Sequence, residues 1–459
     1  MELSNFIGGE FVPAESKSTF SKFNPFTGQL LASVSSSDAM DVVKALQVAK
    51  KAALGFKDTT TEQRADLLNS LAQALQNDAD QIAYEEALHQ GLPHSFVLKN
   101  SVEVAVRVLR DIAEDVRPAQ DSQIRYQPSG IVGIITSWCC SLRLIVERMA
   151  PALAAGNVVV VKVSEQSPIT AKILGECLQK SRIPAGVVNI LQGSAEVAQV
   201  IAGHPSIRAV TAAGKTSTIE AIAKVALPQF KKLQLSGGAK NPSAVLAETD
   251  FKSLLPEILR PFLMGQGQMC WNVSQLFVLE SLAPEFLTAL KDYLTTLRPL
   301  KDPRGSETWT PLISEASVRN IDQKIQSGVG EHGKIFVGGP AEEAGYFYRP
   351  TVMLDLPHCS LLQQDELHGP LLLVTPVKYQ HEIQKWANTS YLAHSAVIWG
   401  PTEKALKVAS SLDAAHVWLN SWTPGEAPVV FGHKQSSFGN LDMSWNGSFY
   451  SDVKKLAGL

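Results

Sequence analysis

The stretch that decides the fold is "GIVGIITSWCCSLRLIVERMAPALAAGNVVVVKVSEQSP", residues 130–168. It opens on a short apolar run, "GIVGIIT" (130–136), passes through a helical stretch ending "LIVERMAPALAAG", and closes on the β-branched run "NVVVVKV" (157–163). Both runs are apolar throughout rather than alternating, which is how a strand reads when its sheet is covered on both faces. Downstream the pattern repeats. "SPITAKILGECLQKS" reads as a helix with Ser167 as N-cap and Pro168 at the first helical position. "GVVNILQG" is the next strand, "AEVAQVIAG" the next helix, and "IRAVTAA" (207–213) a further strand. Strands alternating with helices predict an α/β fold built on a parallel sheet. Ligands of such sheets bind beyond the carboxyl ends of the strands. The loops "TSWCC", "KVSEQS", "LQGSA" and "AAGKTS" are therefore where a site is expected. No GxGxxG occurs, so any dinucleotide would be held by another version of the fold.

Upstream, the first part of the chain reads as helices. In "DAMDVVKALQVAKKAALG", Val42, Leu46, Ala49 and Ala53 share one face. Thr59 stands three residues before Glu62, a capping-box pattern, and Leu67, Leu68, Leu71 and Leu75 continue that helix. These are core stripes. From about residue 237 a second αβ segment begins, with "KNPSAVLAE" starting a strand. In it Cys270, within "GQGQMCWNVSQ" (265–275), lies between a helix near 252–264 and the strand "SQLFVLE". A free cysteine is most often a small buried hydrophobe. Its neighbours decide otherwise or not.

Composition sets the outer bounds. The 459 residues suggest about three domains. A net charge of −3 without long runs of one sign argues against nucleic acid or an anionic membrane as the main partner. The N-terminus lacks a basic region followed by an apolar stretch, and no run approaches the length of a membrane span. The five scattered cysteines, Cys139, Cys140, Cys177, Cys270 and Cys359, fit a reducing, cytoplasmic setting. Neither CxxC nor HExxH occurs, so no metal site is expected.

Seven motifs in order resemble the aldehyde dehydrogenase superfamily over almost the whole chain: "FNPFTGQLLASV", "YQPSGIVGIITSW", "AAGNVVVVKVSEQSP", "IPAGVVNILQG", "GQGQMC", "DELHGP" and "VWLNS". The resemblance implies an aldehyde dehydrogenase-like fold. A Rossmann-type NAD-binding domain is expected over 1–117 and 131–236 and an α/β catalytic domain over 237–424. A small oligomerisation flap is expected from 118–130 and 440–459. It implies oxidation of a small-molecule aldehyde with NAD(P): a cysteine thiolate attacks the aldehyde, hydride passes to nicotinamide, and the thioester is hydrolysed. Cys270 falls on the nucleophile's position. On the cofactor side stand Trp138, Gly214, Lys215, and Lys162 and Glu165, which match the residues that bind the adenosine ribose hydroxyls. Glu366 in "DELHGP" matches the residue that holds the nicotinamide ribose. A carboxylate at Glu165 accepts from a 2′-OH and repels a 2′-phosphate, favouring NAD over NADP.

The sequence departs from the family where the chemistry sits. The usual "PWNFP" reads "SWCCS" (137–141), so the oxyanion-stabilising asparagine is Cys139. "ELGGKxP" reads "SGGAKNP" (236–242), which puts the general-base glutamate at Ser236, or at Gln234 in a register slipped by two. "FTGSTxxG" reads "AAGKTSTI": Lys215 replaces a serine and Ile219 a glycine, so Lys215 either pairs with a pyrophosphate or crowds it. His368 stands where phenylalanine is usual and reads as a packing substitute. One oxyanion donor is worth about 10²–10³ in rate and a positioned base about 10²–10⁴, without being additive.

Three readings stay open: a dehydrogenase with weak or altered chemistry; a CoA-acylating relative, which Cys139 counts against; and a non-catalytic protein of this fold that binds NAD. In the third, Cys139 and Cys270 are candidates for a disulfide. The C-terminal "VKKLAGL" stops early, and "GNLD" (439–442) replaces the usual "GRE", so homodimerisation through that strand is expected to be weakened.

Overall fold

The structure, a computed structural model, describes residues 1–116, 124–426, 432–439 and 449–456. At the centre of its first sheet run five parallel strands: β1 (Ile131–Ile135), β2 (Val158–Lys162), β3 (Val188–Leu191), β4 (Ile207–Ala213) and β5 (Lys232–Ser236). The helices α1 (Ser141–Ala154), α2 (Ile169–Lys180), α3 (Ala195–Gly203) and α4 (Thr216–Ala226) connect them. Every residue of β1 and β2 is buried, which is why those runs carry no alternation. The spatial order is β5-β4-β1-β2-β3. The chain leaves β1 for β2 and β3 on one side, then returns to lay β4 and β5 on the other. The crevice between β1 and β4 is the switch point where such sheets open a binding site. Antiparallel strands close both edges: Asn5–Ile7 beside β3, with Glu10–Val12 beyond it, and Ser437–Gly439 beside β5.

A short loop leads from β5 to the second sheet, as the change of character near residue 237 predicts. Its strands are β6 (Asn241–Val245), β7 (Val273–Leu279), β8 (Tyr348–Leu354), β9 (Leu371–Val377), β10 (Ser395–Trp399) and β11 (His416–Leu419). They lie parallel in the order β8-β9-β7-β6-β10-β11, with Lys334–Pro340 antiparallel on β8. The helix α5 (Phe251–Leu263) joins β6 to the loop that precedes β7. Cys270 therefore lies at the amino end of the second sheet, opposite the carboxyl edge of the first. An α/β architecture of two parallel sheets is thus present.

Some expectations are corrected. The chain does not open on helices. Five short strands occupy Glu2–Ser35 before the first helix, Ala39–Phe56, and three of them form a small sheet. Strands of two to six residues are too short to show a period. The capping box of the next helix, Thr61–Asn77, is Thr60 with Gln63, not Thr59 with Glu62: Gln63 N–H donates to Thr60 Oγ1 at 3.2 Å and Thr60 N–H to Gln63 Oε1 at 2.8 Å. One residue along, Gln63 has the same reach as Glu62. Helix α2 starts at Ile169, one residue late, with Ser167 Oγ paired to Thr170 Oγ1 at 3.1 Å. Of the oligomerisation segment, 118–123, 440–448 and 457–459 lie outside the described residues. Its described parts pair with each other, Ile124–Pro128 antiparallel to Ser451–Lys455. No helix among the described residues is long and apolar enough to cross a membrane.

Candidate active site

Four strand ends, those of β1, β2, β4 and β5, and two loops build the site. After β1 the chain turns through "TSWCC", where Cys140 adopts a left-handed conformation (φ 46°) at the start of α1. Buried side chains clamp this turn. Gln90 Oε1 accepts the Cys140 N–H at 3.1 Å and Glu86 Oε1 the Leu142 N–H at 2.9 Å. A carboxylate at a helix N-terminus is electrostatically favourable, although burial pushes the Glu86 pKa up. Trp138 and Cys139 are left facing the crevice.

After β2, the Lys162 ammonium is buried and lies 3.4 Å from Glu165 Oε2. Burial lowers the Lys162 pKa against the pull of Glu165. After β4, Gly214 N–H donates to Ser236 O at 3.0 Å, tying the turn to β5. Lys215 precedes α4, whose N-terminus receives no side-chain cap. Ile219 packs into the core rather than onto the crevice.

Cys270 is delivered by an unusual turn. After α5, Gly265, Gln266 and Gly267 all have positive φ (61°, 55° and 65°). A Cβ on Gly267 would stand 2.3 Å from the Gly369 carbonyl oxygen, so only glycine lets these two loops touch. Amide side chains then lock the loop. Asn272 Oδ1 accepts the Met269 N–H at 2.7 Å, Gln268 Oε1 accepts the Ile313 N–H at 3.0 Å, and Asn241 Nδ2 donates to the Cys270 carbonyl at 2.7 Å. The "DELHGP" loop arrives from the other side. Glu366 Oε1 accepts the Ala239 N–H at 3.3 Å, and a Cβ on Gly238 would fall 2.2 Å from Glu366 Oε2. His368, also left-handed (φ 53°), sets Nε2 2.7 Å from Glu366 Oε2, at an angle that makes no hydrogen bond.

The strand ends and loops so placed open on one cavity of about 660 Å³. The nine candidate catalytic and cofactor-binding residues line it: Trp138, Cys139, Lys162, Glu165, Gly214, Lys215, Ser236, Cys270 and Glu366. His368 lines it too. Gln234 does not; it is buried in β5, where Oε1 accepts from Thr211 Oγ1 at 2.9 Å. Ser236, not Gln234, is thus the residue of β5 that meets the cavity.

Electrostatics favour thiols over thiolates here. Burial pushes the Cys270 pKa up to about 12; Glu366 adds to this and Arg143 opposes it. Cys139 is raised as well, first by a hydrogen bond with the Cys140 thiol and then by burial. Cys139 and Cys270 each keep a face toward the cavity, and both are free thiols. Sequence reasoning missed Arg143, Glu147 and Arg148 of α1, which also line the cavity. The signal was present: "SLRLIVERMAP" sets three charges into a helix that is otherwise apolar.

A family model described as the aldehyde dehydrogenase family matches residues 11–456. The chain is 29% identical to the 2-aminomuconic semialdehyde dehydrogenase of Bos taurus, covering 99% of this chain and 97% of that one. It is 32% identical to human retinaldehyde dehydrogenase 3, covering 96% and 88%. Among solved structures it is similar to an NAD+ complex of an aldehyde dehydrogenase from Bacillus cereus. The TM-score there is 0.92 at 28% identity, covering 99% of this chain and 96% of that one.

Proposed function

This chain belongs to the aldehyde dehydrogenase family, and we propose that it binds NAD in the crevice and oxidises an aldehyde through Cys270, with slow release of the acyl group. The observation that carries this reading is the single cavity shared by all nine residues named from sequence. The residues present fit the dinucleotide. Lys162 and Glu165 would hold the adenosine ribose, and the uncapped N-terminus of α4 with Lys215 would take the pyrophosphate. Glu366 would hold the nicotinamide ribose, at the depth that Gly238 permits. NAD, when bound, supplies the acceptor for the aldehyde's hydride.

The rest falls to the chain. Cys270 Sγ must lose its proton before it attacks, because the thiol dominates well below a pKa of about 12. Arg143 is the neighbouring charge that favours the thiolate. The thiohemiacetal oxygen meets the thiol of Cys139 where an amide donor would be, and a thiol is a weak donor. Water attacking the thioester finds the Ser236 hydroxyl in place of a carboxylate. Acylation is therefore weakened and hydrolysis weakened further.

The test is NADH formation from NAD+ and a panel of aldehydes, with and without CoA, beside Cys270→Ala. The expected outcome is a burst of one NADH per chain followed by a slow phase, both lost by about 10³-fold or more in Cys270→Ala. A slow phase that CoA accelerates selects acyl transfer to CoA. NAD binding by calorimetry with no burst for any aldehyde would overturn the proposed oxidation and leave a nucleotide-binding protein.

A further inference from the structure

Helix α1 begins beside Cys139 and carries Arg143, Glu147 and Arg148 onto the wall of the cavity that holds Cys270. Their side chains are only 3–4% exposed. Charges are buried to this degree only when paired, and here the pairing is incomplete. Glu147 Oε1 takes Arg143 Nε at 2.6 Å, while its Oε2 is 4.0 Å from an Arg148 terminal nitrogen. One carboxylate thus serves two guanidinium groups. Arg143 is braced by the Pro424 carbonyl at 3.1 Å and lies 4.7 Å over the ring of Trp271, the neighbour of Cys270. Arg148 donates to the Leu144 carbonyl of its own helix at 2.9 Å, and its buried Nε has no partner among the described residues. Glu86 does not correct the balance. It accepts from the Leu142 N–H, Gln90 and Ser101, and it is not on the cavity wall.

An excess buried positive charge facing a cavity is costly, and an anion entering that cavity relieves it. We propose that Arg143 and Arg148 form an oxyanion subsite beside Cys270, so that the aldehyde taken by this chain carries a carboxylate at its far end. The second half of this statement rests on the reading of Cys270 as the attacking group; the subsite itself does not. Both arginines and Cys270 line the one cavity.

Iodoacetate and iodoacetamide share a reactive carbon and differ by one charge. Their alkylation rates at Cys270 and at the exposed Cys359 are compared by peptide mass spectrometry on the full chain. No cofactor or aldehyde is added. The iodoacetate-to-iodoacetamide ratio is expected to be about tenfold or more higher at Cys270, and Arg148→Met should bring the two ratios together. If that variant does not fold, the wild-type ratios decide by themselves. Equal ratios at the two cysteines overturn the subsite, whatever the turnover. In a second assay, kcat/KM for succinic semialdehyde is expected to exceed that for butanal by about tenfold or more. Equal values overturn the substrate class while leaving aldehyde oxidation in place. A raised ratio at Cys270 with neither aldehyde oxidised keeps the subsite and removes the oxidation reading.

Discussion

At the scale of single residues, the chemistry turns on what surrounds a thiol. Cys270 is the proposed nucleophile, but burial favours its thiol, and the two side chains expected to assist it read Cys139 and Ser236. Ser236 ends β5, its backbone fixed by pairing with Ala213 on one side and Ser437 on the other. Ser236 lines the cavity, so a longer acid there is expected to reach toward the reacting centre. Ser236→Glu is therefore expected to raise the slow phase of NADH formation by about 10²-fold, with burst amplitude unchanged. A slow phase equal to wild type would mean that hydrolysis is limited by something other than the base. The residue types were all legible in the sequence. The raised pKa of Cys270 was not, because desolvation is a property of the whole enclosure.

At the scale of elements, turns and caps decide where side chains point. Three consecutive left-handed residues aim Cys270, and Gly267 among them touches the Gly369 carbonyl. Gly267→Ala combines a positive φ with a backbone clash. It should cost about 1–3 kcal/mol in urea unfolding and should abolish the NADH burst; a variant with wild-type burst and stability would contradict this role for the turn. The capping box of Thr60 and Gln63 serves only its helix. Thr60→Ala should cost about 1 kcal/mol and leave the burst untouched, by the same two measurements. Helix existence was readable from periodicity, since Leu68, Leu71 and Leu75 recur on one face and are buried. The cap was misread by one residue because Thr59-Thr60 and Glu62-Gln63 offer two equivalent registers, and only backbone geometry chooses between them.

At the scale of the molecule, packing that walls the cavity also buries several ionisable groups. His89 is fully buried, and both of its ring nitrogens lack partners among the described residues. Burial, aided by Lys22 and Lys172, lowers its pKa to about 3 from 6.5. The unfolded chain binds a proton below pH 6.5 while the folded chain does not. Stability is therefore intact above pH 6.5 and is lost as pH falls from there toward 3. Glu86, raised by burial, acts in the opposite sense, so a comparison of variants isolates the histidine. Between pH 7 and 5 the wild type should lose about 2 kcal/mol more in urea unfolding than His89→Leu. Identical pH slopes would show that His89 is hydrated or protonated in the native state.

The sequence by itself determined the layered α/β architecture, the strand and helix alternation between residues 130 and 213, and the residue type at each expected site position. Strand and helix periods are local, and motif order survives without knowledge of contacts. Only the tertiary structure decided that Ser236 rather than Gln234 meets the cavity and that Ile219 turns to the core. It also brought Arg143, Glu147 and Arg148 to the side of Cys270. These are matters of which face a side chain presents and how much water it keeps. Such properties arise when strands far apart in sequence, β1 and β4 of one sheet and the loop before β7 of the other, close around a common space.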